Sequence, residues 1–295
     1  MNTTTLNIDG PGTNGATKDL GNSGLHGAAL TVGRLESAHM DHEAVAPEDL
    51  LDLASIPLLR RTPGKPIPAC VFEADPSGMA AEEFRVMQRR LVSLCPKGGC
   101  ALLTSPGAGD GKSLNTRNLA WALAEAGHST LLLELDLRRP TQARYIRAQL
   151  PATIVDVLSG GVAPADAVRR VGRMPLFYIG LHKPADSPTE LIRSAALNEL
   201  LTWARRNFTW IIVDGPPVLA IADVEELLPK VDLVLMIARE RSTPRAMLER
   251  AAQRLGKRLT FVIFNDVSLS NIYGYGYDRA SQPYLGTTSR QTTGS

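Results

Sequence analysis

From Cys100 onward, short apolar runs alternate with segments whose apolar residues recur every three or four positions. The runs Cys100–Ser105, Thr130–Leu135, Leu176–Ile179, Trp210–Asp214, Leu233–Ala238 and Thr260–Asn265 read as strands. Between them Leu119, Leu123 and Ala126 form one helical stripe, Ile192, Ala196 and Leu200 a second, and Leu248, Ala252 and Leu255 a third. Strand–helix alternation of this kind implies right-handed crossovers, and so an α/β fold with a doubly wound, mainly parallel sheet covered on both faces. Ahead of it, Phe84, Met87, Leu91 and Leu94 recur at helical spacing beneath a charged face, which predicts a helix over Ala80–Leu94.

Neither period is sustained at the two ends. Residues 1–78 are rich in Gly, Thr, Asn and Pro and read as a flexible N-terminal arm, with a short helix expected around Pro47–Ala54. Pro57, Pro63, Pro66 and Pro68 deny that stretch the backbone donors a strand ladder needs. Residues 273–295 turn polar and Gly/Thr/Ser-rich, and they contain four of the six tyrosines, Tyr273, Tyr275, Tyr277 and Tyr284. The expected organisation is an arm (1–78), an α/β domain (79–272) and a flexible tail (273–295).

Composition narrows the class. A chain of 295 residues with 44% apolar and 21% charged residues can build a core, which excludes disorder throughout. Thirty-two basic against thirty acidic residues leave +2, so no overall field draws nucleic acid or anionic lipid. Three cysteines, none in a CxxC pair, favour a reducing, cytoplasmic setting. The first thirty residues carry one basic side chain, Lys18, and no apolar core, so no secretory signal is expected. No apolar run approaches the ~18 residues that span a bilayer, and direct membrane insertion is not expected.

The chemistry concentrates after the first strand. Thr104-Ser105-Pro106-Gly107-Ala108-Gly109-Asp110-Gly111-Lys112-Ser113 lies between an apolar strand and an amphipathic helix, the context a phosphate-binding loop requires. Gly107, Gly109 and Gly111 let backbone amides turn inward, and the following helix adds its positive N-terminus. Lys112 can reach β/γ-phosphates and the Ser113 hydroxyl can ligate Mg²⁺. Pro106 stands where the GxxxxGK[ST] pattern opens with glycine. Two strand ends are acidic: Glu134 and Asp136, two residues apart and so on one face while the strand persists, and Asp214 of Val213-Asp214-Gly215-Pro216-Pro217. Ligands in parallel sheets sit beyond such carboxyl ends, and Mg²⁺ is held by phosphate oxygens and a few carboxylates.

These motifs together resemble the bacterial protein-tyrosine kinases of capsule and exopolysaccharide synthesis, whose P-loop fold is of the ParA/MinD type. The resemblance runs from about Glu73 to Tyr284, roughly 70% of the chain, and rests on Gly111-Lys112-Ser113, Asn118-Leu119-Ala120, Leu135-Asp136-Leu137-Arg138-Arg139-Pro140, Asp156-Val157-Leu158-Ser159-Gly160, Pro188-Thr189-Glu190-Leu191 and Asp214-Gly215-Pro216-Pro217. It implies ATP and Mg²⁺ as cofactors. Lys112, Glu134, Asp136 and Asp214 would be the catalytic set, and Ser113, Asp136 and Asp214 the metal ligands. Gly107, Gly109, Asp110, Gly111, Lys112, Ser113, Leu114 and Asn265 would contact nucleotide. The resemblance also implies phosphoacceptors at Tyr273, Tyr275, Tyr277 and Tyr284, a membrane-spanning chain-length or export adaptor that recruits the protein to the inner face of the plasma membrane, and self-association through helix 80–94. Tyr145 and Tyr178 fall inside the folded region and would stay unmodified.

Three departures from the family pattern keep other readings open. Glu134 replaces the first Asp of the DxDxR motif, Pro106 replaces a glycine, and Gln88 ends an ExxRxxR-like helix in which Arg89 comes one residue late. A catalytically weak nucleotide-binding regulator is therefore one alternative. A ParA/MinD-like positioning ATPase is another, although Gly107 stands where such ATPases carry a signature lysine. His39 and His42 read as solvated residues of the arm, and His128 as a surface turn residue.

Overall fold

The computed structural model describes residues 4–6, 50–64 and 70–267; the tail tyrosines, His39 and His42 lie outside the described residues. The elements run β1 (Thr4–Leu6), β2 (Arg60–Arg61), α1 (Val71–Ala74), α2 (Met79–Leu94), β3 (Gly99–Thr104), α3 (Lys112–Glu125), β4 (Thr130–Glu134), α4 (Gln142–Tyr145) and β5 (Ala148–Gln149). They continue with α5 (Ile154–Leu158), α6 (Pro164–Ala167), β6 (Arg169–Arg170), β7 (Leu176–Ile179), α7 (Pro188–Arg193), α8 (Ala195–Asn207), β8 (Trp210–Asp214), α9 (Asp223–Leu227), β9 (Leu233–Arg239), α10 (Arg245–Leu255) and β10 (Phe261–Asn265).

Each of the six predicted apolar runs is a strand of one sheet, ordered β1-β10-β9-β3-β8-β4-β7-β6. The six long strands are parallel, and the short edge strands β1 and β6 run antiparallel. The chain moves outward from β3 to β4 and β7, returns through β8 into the gap between β3 and β4, then crosses to β9 and β10. Alternate side chains of each strand feed separate cores on the two faces. Leu102, Leu133, Ile211, Val213 and Met236 meet α5, α7 and α8, whereas Leu103, Leu132, Ile212, Leu235 and Ile237 meet α2 and α3. Among the described residues no helix is long and apolar enough to cross a membrane.

Three expectations need correcting. The N-terminal segment is not an arm up to residue 78. Ile56, Leu59, Val71 and Phe72 are buried in the two cores, and β2 pairs antiparallel with β5 despite the prolines around it, because a two-residue ladder needs few donors. Of the helix expected around Pro47–Ala54, residues 47–49 lie outside the described residues and 50–54 are not helical, with a turn at 53–55. The stripe Ile192, Ala196 and Leu200 belongs to two helices, since Ser194 is extended (ψ 152°) and its hydroxyl caps α8 by accepting the Leu197 N–H.

Helix α2 buries Phe84, Met87 and Leu91 as its spacing predicted and Gln88 as well, whereas Leu94, expected in the same stripe, is exposed at the last turn. Arg85 on the same helix donates to both oxygens of Glu125 on α3 (2.7 and 2.8 Å) and pairs with Glu82. Phe72 stacks flat against Trp121 of α3, 6.2 Å between ring centroids, with the Arg85 guanidinium 5.3 Å from its ring centre. We predict that Phe72→Ala costs about 3 kcal/mol, read as a lower urea midpoint with an unchanged slope. An unchanged midpoint would show that the segment before α2 contributes nothing to the fold.

Candidate functional site

The loop between β3 and α3 turns at two glycines in the left-handed region, Gly109 and Gly111, both at φ +94°. At Gly111 the requirement is double, because a Cβ there would lie 1.9 Å from the Asn265 amide nitrogen. The loop is held from three directions. Asp110 accepts the Gly107 N–H (3.1 Å) and the Thr243 hydroxyl (2.6 Å), Asn265 Nδ2 donates to the Asp110 carbonyl (3.0 Å), and the Ser105 hydroxyl donates to the Gly107 carbonyl (2.6 Å). Asp110 and Asn265, expected to face nucleotide, are therefore buried braces of the loop, and the Gly107 amide is occupied by Asp110. Leu114 is half-buried in the first turn of α3 against the core that α2 and α3 cover.

Lys112 opens α3, is only 8% exposed, and turns back toward the sheet. Its Nζ lies 2.7 Å from Asp214 Oδ1, 3.2 Å from Ser113 Oγ and 3.3 Å from Asp136 Oδ2. The structure thus gathers Lys112, Ser113, Asp136 and Asp214, four of the residues singled out by sequence. Burial works against the Lys112 charge, yet the two carboxylates hold its pKa above the ordinary lysine value. Burial raises the Asp136 pKa, opposed by Lys112. Two carboxylates and a hydroxyl around one positive point form an all-oxygen donor set that suits Mg²⁺. Among the described residues no group of three His, Cys, Asp or Glu could hold a metal ion by itself, so water or phosphate oxygens would complete the shell of a cation here.

Glu134 does not join them. Residues Leu135 and Asp136 both donate their N–H to the Asp214 carbonyl (2.9 Å each), so the strand bends after Glu134 and the expected shared face is lost. The Glu134 carboxylate is fully buried on the other side, where Oε1 accepts the N–H groups of Thr141 (2.6 Å) and Gln142 (2.8 Å) and Oε2 accepts the Tyr178 hydroxyl (2.7 Å). It shapes the segment after β4 instead of meeting Lys112, which corrects its expected catalytic placement. Desolvation, with Asp214 nearby, pushes the Glu134 pKa up to about 7, against the hydrogen bonds it accepts from Gln142, Tyr178 and Thr141.

Sequence reasoning missed Gln142, a neutral side chain with no motif signal, which joins Asp214 to the first turn of α3. Thr116 was missed too; its hydroxyl, one turn beyond Lys112, lies 3.4 Å from Asp214 Oδ1. At the rim, Arg138 donates to Asp223 (3.1 Å) and Thr189 (2.7 Å), joining the segments after β4 and β8 to α7.

No protein-family model matches the chain. EpsB of Ralstonia solanacearum, provisionally named a tyrosine-protein kinase, is 32% identical over 179 residues, which cover 60% of this chain and 24% of EpsB. The tyrosine-protein kinase CpsD of Streptococcus pneumoniae is 28% identical over 177 residues, covering 58% of this chain and 78% of CpsD. Among solved structures, the BceF tyrosine kinase domain superposes with a TM-score of 0.60 at 29% identity, covering 68% of this chain and 82% of that domain. The chain thus spans about a quarter of the length of EpsB and most of the length of CpsD. The fold is that of a P-loop nucleoside-triphosphatase domain.

The buried Glu134 predicts a pH effect. An acid whose folded pKa is raised binds more protons when folded, so its contribution is full below the unfolded pKa of 4.5 and is lost as pH rises through about 7. We predict that stability falls between pH 5 and pH 8 by at most on the order of 3 kcal/mol from this group, and that Glu134→Gln removes that part of the slope. Urea unfolding across this range is the check, and an equally steep slope in Glu134→Gln would place the effect elsewhere.

Proposed function

We propose, for a chain whose relatives by sequence and fold are bacterial tyrosine-protein kinases, that the loop site binds ATP with Mg²⁺ and passes the γ-phosphoryl group to tyrosine hydroxyls. The observation that carries this reading is the Lys112 ammonium held beside Asp214, Asp136 and Ser113 at the mouth of a glycine loop. Phosphoryl transfer asks a protein mainly for positioning and for neutralised charge. Lys112 would exchange its carboxylate contacts for β/γ-phosphate oxygens. Mg²⁺, when bound, would offset the remaining phosphate charge, with Ser113, Asp136 and Asp214 as its ligands from this chain.

A tyrosine with a pKa near ~10 is a weak nucleophile at neutral pH. Asp136, the buried carboxylate beside Lys112, would orient the hydroxyl and take its proton. The tyrosine oxygen then bonds to the γ-phosphorus, the bond from that phosphorus to the β,γ-bridging oxygen breaks, and ADP leaves with the electron pair. The acceptors in this reading are Tyr273, Tyr275, Tyr277 and Tyr284. Each phosphate adds about −1.5 to −2 charge to the tail. The setting would be polysaccharide synthesis or export at the inner face of the plasma membrane, with a membrane-spanning chain-length or export adaptor as partner and α2 as a surface for self-association.

The test is phosphotyrosine mapping by mass spectrometry after incubating the full chain with Mg·ATP and the cytoplasmic segment of such an adaptor. We predict phosphate on the tail tyrosines and none on Tyr178, which is fully buried. Ser113→Ala, which removes a hydroxyl without stranding a charge, should lower the yield at least about tenfold. Lys112→Met should abolish nucleotide binding and also destabilise the domain by about 3 kcal/mol, because it leaves two buried carboxylates unpaired. ATP hydrolysis without any phosphotyrosine would sink the kinase reading and favour a positioning ATPase.

A further inference from the structure

The segment after β4 crosses the end of β8 and returns to the first turn of α3, and one side chain makes the join. Gln142 is fully buried, and each of its polar side-chain atoms has a partner. Arg117 donates to Oε1 (3.0 Å), which settles the orientation of the amide: the NH₂ group must face the other way. There Nε2 donates to the Ser113 carbonyl (2.8 Å) and to Asp214 Oδ2 (2.8 Å). Arg117 lies with its guanidinium carbon 4.6 Å from the Tyr145 ring centre, and Glu134 fixes the backbone N–H of Gln142 itself.

We infer that Gln142 is a positioning residue that sets the rotation of the Asp214 carboxylate, and with it the affinity of the site for a divalent cation. The inference rests on the reading that this site takes a nucleotide with Mg²⁺. A carboxylate turns easily about its last torsion, which is broad and roughly two-fold. Gln142 occupies Oδ2, so Oδ1 is the oxygen turned toward Lys112 and the Thr116 hydroxyl. The same amide ties Asp214 to the Ser113 carbonyl, so the acid at the end of β8 and the hydroxyl-bearing residue at the start of α3 keep a fixed spacing. Without the amide, Lys112 is free to draw either carboxylate oxygen, and the oxygen set around Ser113 loses its alignment.

Calorimetry of ADP binding to the full chain, with Mg²⁺ or with EDTA, tests this without relying on kinase activity. Wild type should bind ADP more tightly with Mg²⁺. In Gln142→Met the affinity in EDTA should stay within about twofold, while the gain from Mg²⁺ falls about tenfold, as is usual when a partner of a metal ligand is lost. Gln142→Glu keeps an acceptor for Arg117 but has no donor for Asp214, and it should lose the gain to a similar extent. In unmutated protein, the side-chain amide protons of Gln142 should exchange slowly with solvent and their resonances should move when Mg²⁺ is added to the ADP-bound protein. A preserved Mg²⁺ gain in either folded variant, or a Gln142 amide exchanging at the solvent rate, overturns the inference alone. Wild type that binds no ADP overturns both the inference and the nucleotide reading beneath it.

Discussion

One buried ammonium joins the ends of three strands. Lys112 follows β3, Asp214 ends β8 and Asp136 follows β4, and these strands are neighbours in the order β3-β8-β4. A charge withdrawn from water is tolerable only when paired and hydrogen-bonded. Here the Lys112 ammonium has three oxygen partners, and the backbone carbonyl of the same residue accepts the Thr116 hydroxyl (2.9 Å). The doubly wound topology supplies the geometry, because the chain returns β8 into the gap between β3 and β4 only after both are laid down. Remove that return crossing and the three motifs would stand at separate strand ends.

Much of this is legible in the sequence. The six parallel strands declare themselves because strands covered on both faces read as continuous apolar runs whatever their partners. The loop declared itself through Gly109, Gly111, Lys112 and Ser113, whose spacing is a local requirement of backbone turning and phosphate reach. What stayed hidden depends on distant partners. The proline-rich segment looked like an arm, yet Ile56 and Leu59 find cores formed by residues far along the chain. The break at Ser194 was hidden for a related reason: the apolar spacing across it remains helical, and only the capping hydroxyl reveals the new start.

The divergence of Glu134 and Asp136 shows the limit of a spacing rule. Residues two apart share a face only while the strand continues. Asp214 ends that continuity, since its carbonyl takes the N–H groups of both Leu135 and Asp136. One acid is thereby sent to Lys112 and the other toward the core that α2 and α3 cover, where Tyr178 and the Thr141 and Gln142 backbone amides receive it. The longer side chain of glutamate suits the second position, because it must reach past its own strand to the backbone of Thr141 and Gln142. The pair reads as one motif in sequence and does two different jobs in space.

The loop is also satisfied by its own acids. Asp110 takes the Gly107 amide, and Asp214 with Asp136 takes Lys112. An incoming phosphate would therefore compete with carboxylates for the same donors, and the number of hydrogen bonds changes little in such an exchange. Charge decides it. Around Lys112 stand one positive and two negative groups, so a phosphate drawn there meets a net negative cluster at short range. The three ammonium donors already face Asp214, Asp136 and Ser113, so a phosphate must displace one of them. A divalent cation coordinated by Ser113, Asp136 and Asp214 would release Lys112 for the phosphate and turn the two acids from repelling groups into ligands. On this argument the metal strengthens nucleotide binding, and the alignment of Asp214 governs that added share.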